Sequence, residues 1–220
     1  MSRPLATAWQ AVRRWLGAPW RRWLLFHLAD TRFAFMFDPP PADEWVALDC
    51  ETTGLDVRRD RIISIGAVRI VGNRLLTSQR LELLVRPERA LDVASMRVHR
   101  LRERDLAEGL PPEEAMRQLL QFIGSRPLVG YYLEFDLAMI NRAVWPMLGI
   151  RLPQPQIEVS ALYYDYKNRQ LPPHARNGRI DLRFATLMSD LALPTRDAHD
   201  ALNDAVMAGL AFLKLRGARN

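Results

Sequence analysis

The chain has 220 residues, 49% of them hydrophobic, a formal charge of +6 and one cysteine. That length suits one sizeable α/β domain plus a small extra element. A lone Cys50 excludes an intrachain disulfide and fits a reducing, cytoplasmic compartment, and the lack of CxxC and HExxH patterns removes the usual zinc signatures.

Residues 1 to 42 read as a basic, Trp/Arg-rich helical extension. They hold four of the six tryptophans (Trp9, Trp15, Trp20, Trp23) and six arginines (Arg3, Arg13, Arg14, Arg21, Arg22, Arg32) against two acids (Asp30, Asp38), a net of +4. Such aromatic content argues against disorder. Pro4 and Pro19 suit the first turns of two short helices, and Pro39-Pro40-Pro41 makes a stiff spacer. The apolar stretch Trp23 to Leu28 is stopped by Asp30 and Arg32, too early to cross a bilayer, so no integral membrane span is expected. Three readings suit this arm: packing on the following domain with its arginines solvated, binding nucleic acid or a protein, or a peripheral membrane contact.

The next segment, Trp45-Val46-Ala47-Leu48-Asp49-Cys50-Glu51-Thr52-Thr53-Gly54-Leu55, reads as a strand ending in a tight turn. Side chains alternate along a strand, so Asp49 and Glu51 share a face and Cys50 points the other way, into the core. Two carboxylates so placed repel each other unless a cation sits between them, and a hard divalent ion with oxygen ligands is the usual answer. Glycine at 54 fits positive φ or a close backbone approach.

A second strand follows over 61–71, Gly72-Asn73 supplies a hairpin turn, and 75–85 returns as a third strand, which makes a β-meander. Pro111 and Pro112 open a helix over 113–123. The apolar run 127–132 leads into Glu134-Phe135-Asp136 and an amphipathic stretch, which puts Asp136 near a helix start. Between 163 and 183, Tyr163, Tyr164 and Tyr166 are interleaved with Lys167, Arg169, Arg176, Arg179 and Arg183, a pattern suited either to a single-stranded nucleic-acid path or to a solvated loop. Finally His199-Asp200-Ala201-Leu202-Asn203-Asp204 precedes a long apolar helix. Residues five apart on one helix diverge by about 140°, which places His199 on the loop before the helix, with Asp200 as N-cap and Asp204 in an early turn. The expected fold class is α/β, a mixed sheet flanked by helices with the acidic residues gathered at one edge.

Taken in order, DxETTGL, FD and HxxxxD resemble the Exo I, II and III motifs of the DnaQ-like DEDDh family of 3'-5' exonucleases, which have the RNase H-like fold. The resemblance covers residues 43 to 217. It implies that Asp49, Glu51, Asp136 and Asp204 hold two divalent cations, Mg2+ or Mn2+, and that His199 is the general base. It also implies that Thr52, Thr53, Gly54 and Leu55 lie against the terminal nucleotide. Tyr131 and Tyr132 stand where the family commonly has His-Asn, and are read as substrate contacts or core packing; His99 matches a histidine often found after the third strand. The chemistry suits this set independently: in-line displacement at a phosphodiester needs charge stabilised on entering and leaving oxygens, which two ions about 3.5–4 Å apart do symmetrically. Histidine, with an ordinary pKa near 6.5, suits taking a proton from the attacking water. The expected activity is release of nucleoside monophosphates from single-stranded or frayed 3' ends, DNA ahead of RNA, in proofreading or repair. An RNA-trimming 3'-5' exoribonuclease and a non-catalytic nucleic-acid-binding or polymerase-associated module are the alternatives. The expected partners are a nucleic acid with a free 3' end and, through the N-terminal arm, a polymerase or other protein.

Overall fold

The structure is a computed structural model that describes residues 19–87, 106–172, 174, 176, 178–195 and 200–218. In chain order the elements are α1 (Pro19–Phe26), a 3-10 helix (Thr31–Phe37), β1 (Glu44–Thr52), β2 (Ile62–Val71), β3 (Arg74–Leu84), α2 (Pro112–Ile123), β4 (Leu128–Gly130), α3 (Leu133–Leu148), β5 (Gln156–Glu158), α4 (Val159–Gln170), α5 (Phe184–Asp190) and α6 (Ala201–Gly217). The strands form one sheet in the order β3-β2-β1-β4-β5. β1, β2 and β3 are antiparallel neighbours, the meander expected from the sequence, and β4 and β5 add parallel to β1. Gly72, at φ 57, supplies the positive φ that a two-residue hairpin connection between Val71 and Arg74 requires.

The sheet separates two apolar clusters. Val46, Leu48 and Cys50 of β1 enter the cluster with α2 and α3, whereas Ala47 enters the one with α4, α5 and α6. Strand alternation therefore carries Asp49 and Glu51 out on the α6 side, and buries the Cys50 thiol on the other. Helix α6 lies across β1, β2, β3 and β4. A Cβ added at Gly209 would come within 2.7 Å of Leu75 Cδ1 and 3.2 Å of Ala47 Cβ, so this glycine permits the helix to rest close on the sheet.

One expectation needs correction. The acidic residues of β1 are not at an edge of the sheet: β1 is its middle strand, because β4 and β5 cover the side that the meander leaves open. The apolar run 127–132 yields a strand of only 3 residues, since Tyr132 adopts φ 56 and turns the chain into α3. Pro19 is the first described residue of α1, while Pro4 lies outside the described residues. The arm is tied to the rest of the molecule: Leu28, Phe33 and Met36 are buried in the same cluster as Val46 and Leu48. Arg21 donates to the Phe37 carbonyl at 2.5 Å, and Ala29 N to the Leu148 carbonyl at 2.9 Å. Among the described residues no helix is long and apolar enough to cross a membrane.

Candidate metal centre and active site

At its C-terminal end β1 loses register with β2: Glu51 faces Ser64, but Thr52 faces Ile62. Such a bulge bends the strand and re-aims its side chains, here at the second carboxylate. Two pairs before Glu51, Asp49 faces Gly66. A Cβ on Gly66 would lie 2.2 Å from the backbone of Ala201 and Leu202, so the first turn of α6 sits directly on the sheet beside Asp49. Asp200 caps that helix by accepting from Asn203 N at 2.8 Å, and Asp204 follows in the first turn. The outcome is a cluster of Asp49, Glu51 and Asp204 whose ligand oxygens all lie within 4.8 Å of one another.

Asp136 reaches the same place from the first turn of α3. It is buried, and its Oδ1 accepts from Cys50 N at 3.2 Å, the amide between Asp49 and Glu51. The α3 N-terminus is in turn held by Glu158 at the end of β5. Its carboxylate accepts from Tyr132 N at 3.1 Å and Leu133 N at 2.8 Å, and from Ser160 N and Oγ at 3.0 and 2.8 Å. The Tyr132 side chain makes no cap bond to α3, so Glu158, on the strand next to β4, satisfies orphan helix donors and places negative charge where the helix dipole favours it.

Electrostatics mark this cluster as strained without a cation. Burial pushes the Asp49 carboxyl well above the usual range, and repulsion from Asp136, Asp204 and Glu51 adds to it. Asp136 is likewise raised, by burial first and then by Glu51, against the lowering effect of the Cys50 amide. Crowded carboxylates that resist ionisation alone ionise readily around a hard divalent cation, whose ligands are oxygens. The donor set therefore fits such ions.

The turn after β1 is braced from within. Thr52 Oγ1 donates to the Gly54 carbonyl at 2.7 Å, and Thr53 Oγ1 donates to Asp60 Oδ1 at 2.9 Å while accepting from Arg61 N at 3.0 Å. Asp60 Oδ2 also accepts from Asp56 N at 2.7 Å. Arg142 of α3 donates to the carbonyls of Val57 and Asp60, which ties this loop to the helix bearing Asp136. Gly54 has no positive φ; a Cβ there would lie 2.6 Å from Asp60 Oδ2, so a larger residue would displace the carboxylate that braces the turn. Leu55 stands out from the turn, 81% exposed.

The remaining sequence candidates divide. Tyr131 turns inward, stacks on Phe184 with centroids 4.5 Å apart and donates through Oη to the Leu182 carbonyl at 2.9 Å, so its ring packs the core. Tyr132 is exposed at the start of α3. His199 and His99 lie outside the described residues. In the basic stretch, Tyr163 is buried and donates to Asp190 Oδ2 at 2.5 Å, and Lys167 pairs with Asp190 at 2.7 Å. Arg183 pairs with Asp181 at 2.6 Å. Arg176 donates through Nε to the Leu171 carbonyl at 3.2 Å, so four members of that pattern bond within the protein, while Arg169 and Arg179 are exposed. Sequence reasoning missed Gly66, Glu158, Asp60 and Arg142. Only Gly66 carried a signal, as an isolated glycine within a β-branched run; Glu158 and Arg142 act through partners remote in the chain, and Asp60 through Thr53 and Asp56 of its own turn.

Comparison with known proteins agrees with this geometry. A family model described as exonuclease (RNase T) matches residues 46–212. The DNA polymerase III subunit epsilon-like protein of Rhodobacter capsulatus is 30% identical over 175 residues, covering 78% of this chain and 23% of the relative. DNA polymerase III PolC-type of Thermotoga maritima is 27% identical over 170 residues, 77% of this chain and 12% of the relative. The chain thus spans under a quarter of the length of these two relatives. The DNA polymerase III subunit epsilon of Aquifex aeolicus, 24% identical, is matched over 78% of this chain and 79% of its own length. Among solved structures, the zinc-bound E. coli ExoI–ssDNA complex superposes with a TM-score of 0.65 at 15% identity, over 81% of this chain and 41% of that one. Exonuclease X bound to 5' overhanging duplex DNA gives 0.59 at 20% identity, over 79% and 91%. The five-stranded mixed sheet flanked by helices is the RNase H-like fold of these exonucleases, and the chain belongs to the RNase T exonuclease family, the DnaQ-like 3'-5' exonucleases.

Proposed function

We propose that this protein is a two-metal-ion 3'-5' exonuclease that releases nucleoside monophosphates from single-stranded or frayed 3' ends, with DNA preferred over RNA. The observation that carries the proposal is the convergence of Asp49 and Glu51 with Asp204, which lies 153 residues after Glu51, on one cluster of oxygens within 4.8 Å. Asp136, tied to the backbone between the first two, is the fourth ligand. Two ions held there, Mg2+ or Mn2+, would stabilise the charge that develops on the entering and leaving oxygens. His199, one residue before the N-cap of α6, takes the proton of the attacking water. Leu55 and Tyr132, both exposed beside the carboxylates in sequence, contact the terminal nucleotide together with the turn Thr52-Thr53-Gly54. The catalytic unit is residues 43–217, with 1–42 as an N-terminal extension. The preference for DNA is supported by relatives named as DNA polymerase III subunits and by structural neighbours captured with DNA, and points to proofreading or repair.

The test uses 5'-labelled single-stranded DNA and RNA of matched sequence, resolved at single-nucleotide spacing, with Mg2+, Mn2+ or chelator. A metal-dependent ladder shortening from the 3' end, faster on DNA and absent in Asp49→Ala, is expected. A faster RNA ladder would reassign the substrate, and no ladder on either would leave a binding module.

A further inference from the structure

We propose that Tyr132 is a specificity-determining residue whose ring stacks on the base at the 3' end, so that the site distinguishes a terminal nucleotide that has an unpaired base from one that has none. The inference deepens the exonuclease reading above and rests on it. Tyr132 sits at φ 56 and ψ 31, the left-handed region, where a bulky side chain is disfavoured and glycine or asparagine is at ease. The other positive φ angles among the described residues fall on Gly72, Gly124 and Gly149 and on the smaller Asp43 and Ala192. The conformation is held from both sides, since Tyr132 N donates to Glu158 at 3.1 Å and the Tyr132 carbonyl accepts from Phe135 N at 3.1 Å. Packing does not offset the strain. Tyr131 is bonded to Leu182 and stacked on Phe184, whereas the Tyr132 ring is 67% exposed and lies along the Phe135 ring, with centroids 6.3 Å apart and planes 17° from parallel. Phe135 sets the direction of the ring and leaves most of its surface in water. Strain held in place by surrounding bonds, with the side chain turned outward, points to a functional role.

Position identifies the ligand. β4 runs parallel to β1, with Val46 beside Leu128 and Ala47 beside Val129, and a Cβ on Gly130 would lie 3.0 Å from the Leu48 carbonyl. Two residues past Gly130, Tyr132 therefore leaves the sheet beside the end of β1 that carries Asp49 and Glu51. Asp136, four residues further on, is bonded to the amide between those two. A nucleotide spans the two features, its phosphate toward the carboxylates and their ions and its base against the ring. Stacking on an aromatic side chain is tolerant of sequence because every base has a π face, so Tyr132 selects for the presence of an unpaired base and is indifferent to its identity and to the sugar.

The test is a cycle between protein and substrate, which isolates the one contact. Single-stranded oligonucleotides ending in an ordinary or an abasic 3' nucleotide are hydrolysed in Mg2+ by wild type, Tyr132→Phe and Tyr132→Asn, and are bound to each protein in chelator, read by fluorescence anisotropy. Wild type and Tyr132→Phe should show KM and Kd about ten-fold higher for the abasic end. In Tyr132→Asn both ratios should fall to about one, while the melting temperature is no lower than that of wild type, because asparagine accepts the left-handed backbone. A Tyr132 that served packing alone would melt lower on substitution and leave the ratios unaltered. Discrimination that survives in Tyr132→Asn, that is absent from wild type, or that disappears equally in Tyr132→Phe overturns the proposal. Failure of the exonuclease reading is visible separately: no hydrolysis by wild type, with the Kd ratio still abolished in Tyr132→Asn, removes the activity and leaves Tyr132 as a base-stacking residue.

Discussion

Asp49 and Asp136 are acids whose protonated forms the fold favours. Burial and neighbouring carboxylates raise both above the ordinary carboxyl range, so between the unfolded value of about 3.9 and the raised folded value the native state holds more protons than the unfolded chain. Stability then falls as pH rises through that window, the reverse of a salt-bridged aspartate. The metal-free protein should therefore melt at progressively lower temperature as pH is raised from about 4 toward neutrality. Asp49→Asn should flatten this dependence and raise the melting temperature at pH 7, while Mg2+ or Mn2+ should raise it for the wild type and not for the variant. A metal-free melting temperature that climbs through the same range would contradict the electrostatic reading. Glu158 is a positioning residue at the same scale, since it holds the α3 N-terminus that carries Asp136. Glu158→Ala should cost about 1 kcal/mol of stability, as loss of a cap does, and lower kcat with little change in KM. Glu158→Gln, which keeps an acceptor, should recover part of both; an alanine variant with wild-type kcat would remove Glu158 from the machinery.

Elements meet at the site through glycine. The contact of α6 with β2 at Gly66 leaves no room for a methyl group, because the opposing atoms are backbone. Gly66→Ala must shift the first turn of α6 and with it Asp204 away from Asp49. The expected loss is about 1–3 kcal/mol from overpacking and about a hundred-fold in turnover, the scale of a 1 Å misplacement at a reacting centre. Thermal melting and steady-state kinetics measure the two; full activity in this variant would show that α6 does not place Asp204. Elements were the most legible level of the sequence. The meander, the helix behind Pro111-Pro112 and the Asp200 cap announce themselves through local signals: alternation, a Gly-Asn turn, a first-turn proline and an N-cap aspartate. The short β4 was harder to bound, because the positive φ of Tyr132 has no local cause in its side chain and depends on Glu158, 26 residues later.

Across the whole molecule, sequence reading fared unevenly for one physical reason: local pattern specifies elements, whereas register and long-range pairing specify how they assemble. That β1 lies in the middle of the sheet depends on β4 and β5 adding beside it. That Tyr163 and Lys167 both bond to Asp190 depends on α4 meeting α5. The cluster of Asp49, Glu51 and Asp204, with Asp136 bonded to the backbone beside it, was legible in advance because these residues sit in three recognisable segments, yet the glycine, carboxylate and arginine contacts around them were not. The arm shows the same division: helical character after Pro19 was readable, while the burial of Leu28, Phe33 and Met36 in the main core was one of several open readings. The central claim, that the fold assembles carboxylates from β1, α3 and α6 into a two-ion centre, is tested most directly by calorimetric titration of Mn2+ into metal-free wild type, Asp49→Asn and Asp204→Asn. Two bound ions per wild-type chain, with one or both lost in each variant, is the predicted result; saturable binding that neither substitution alters would place the metal elsewhere and contradict it.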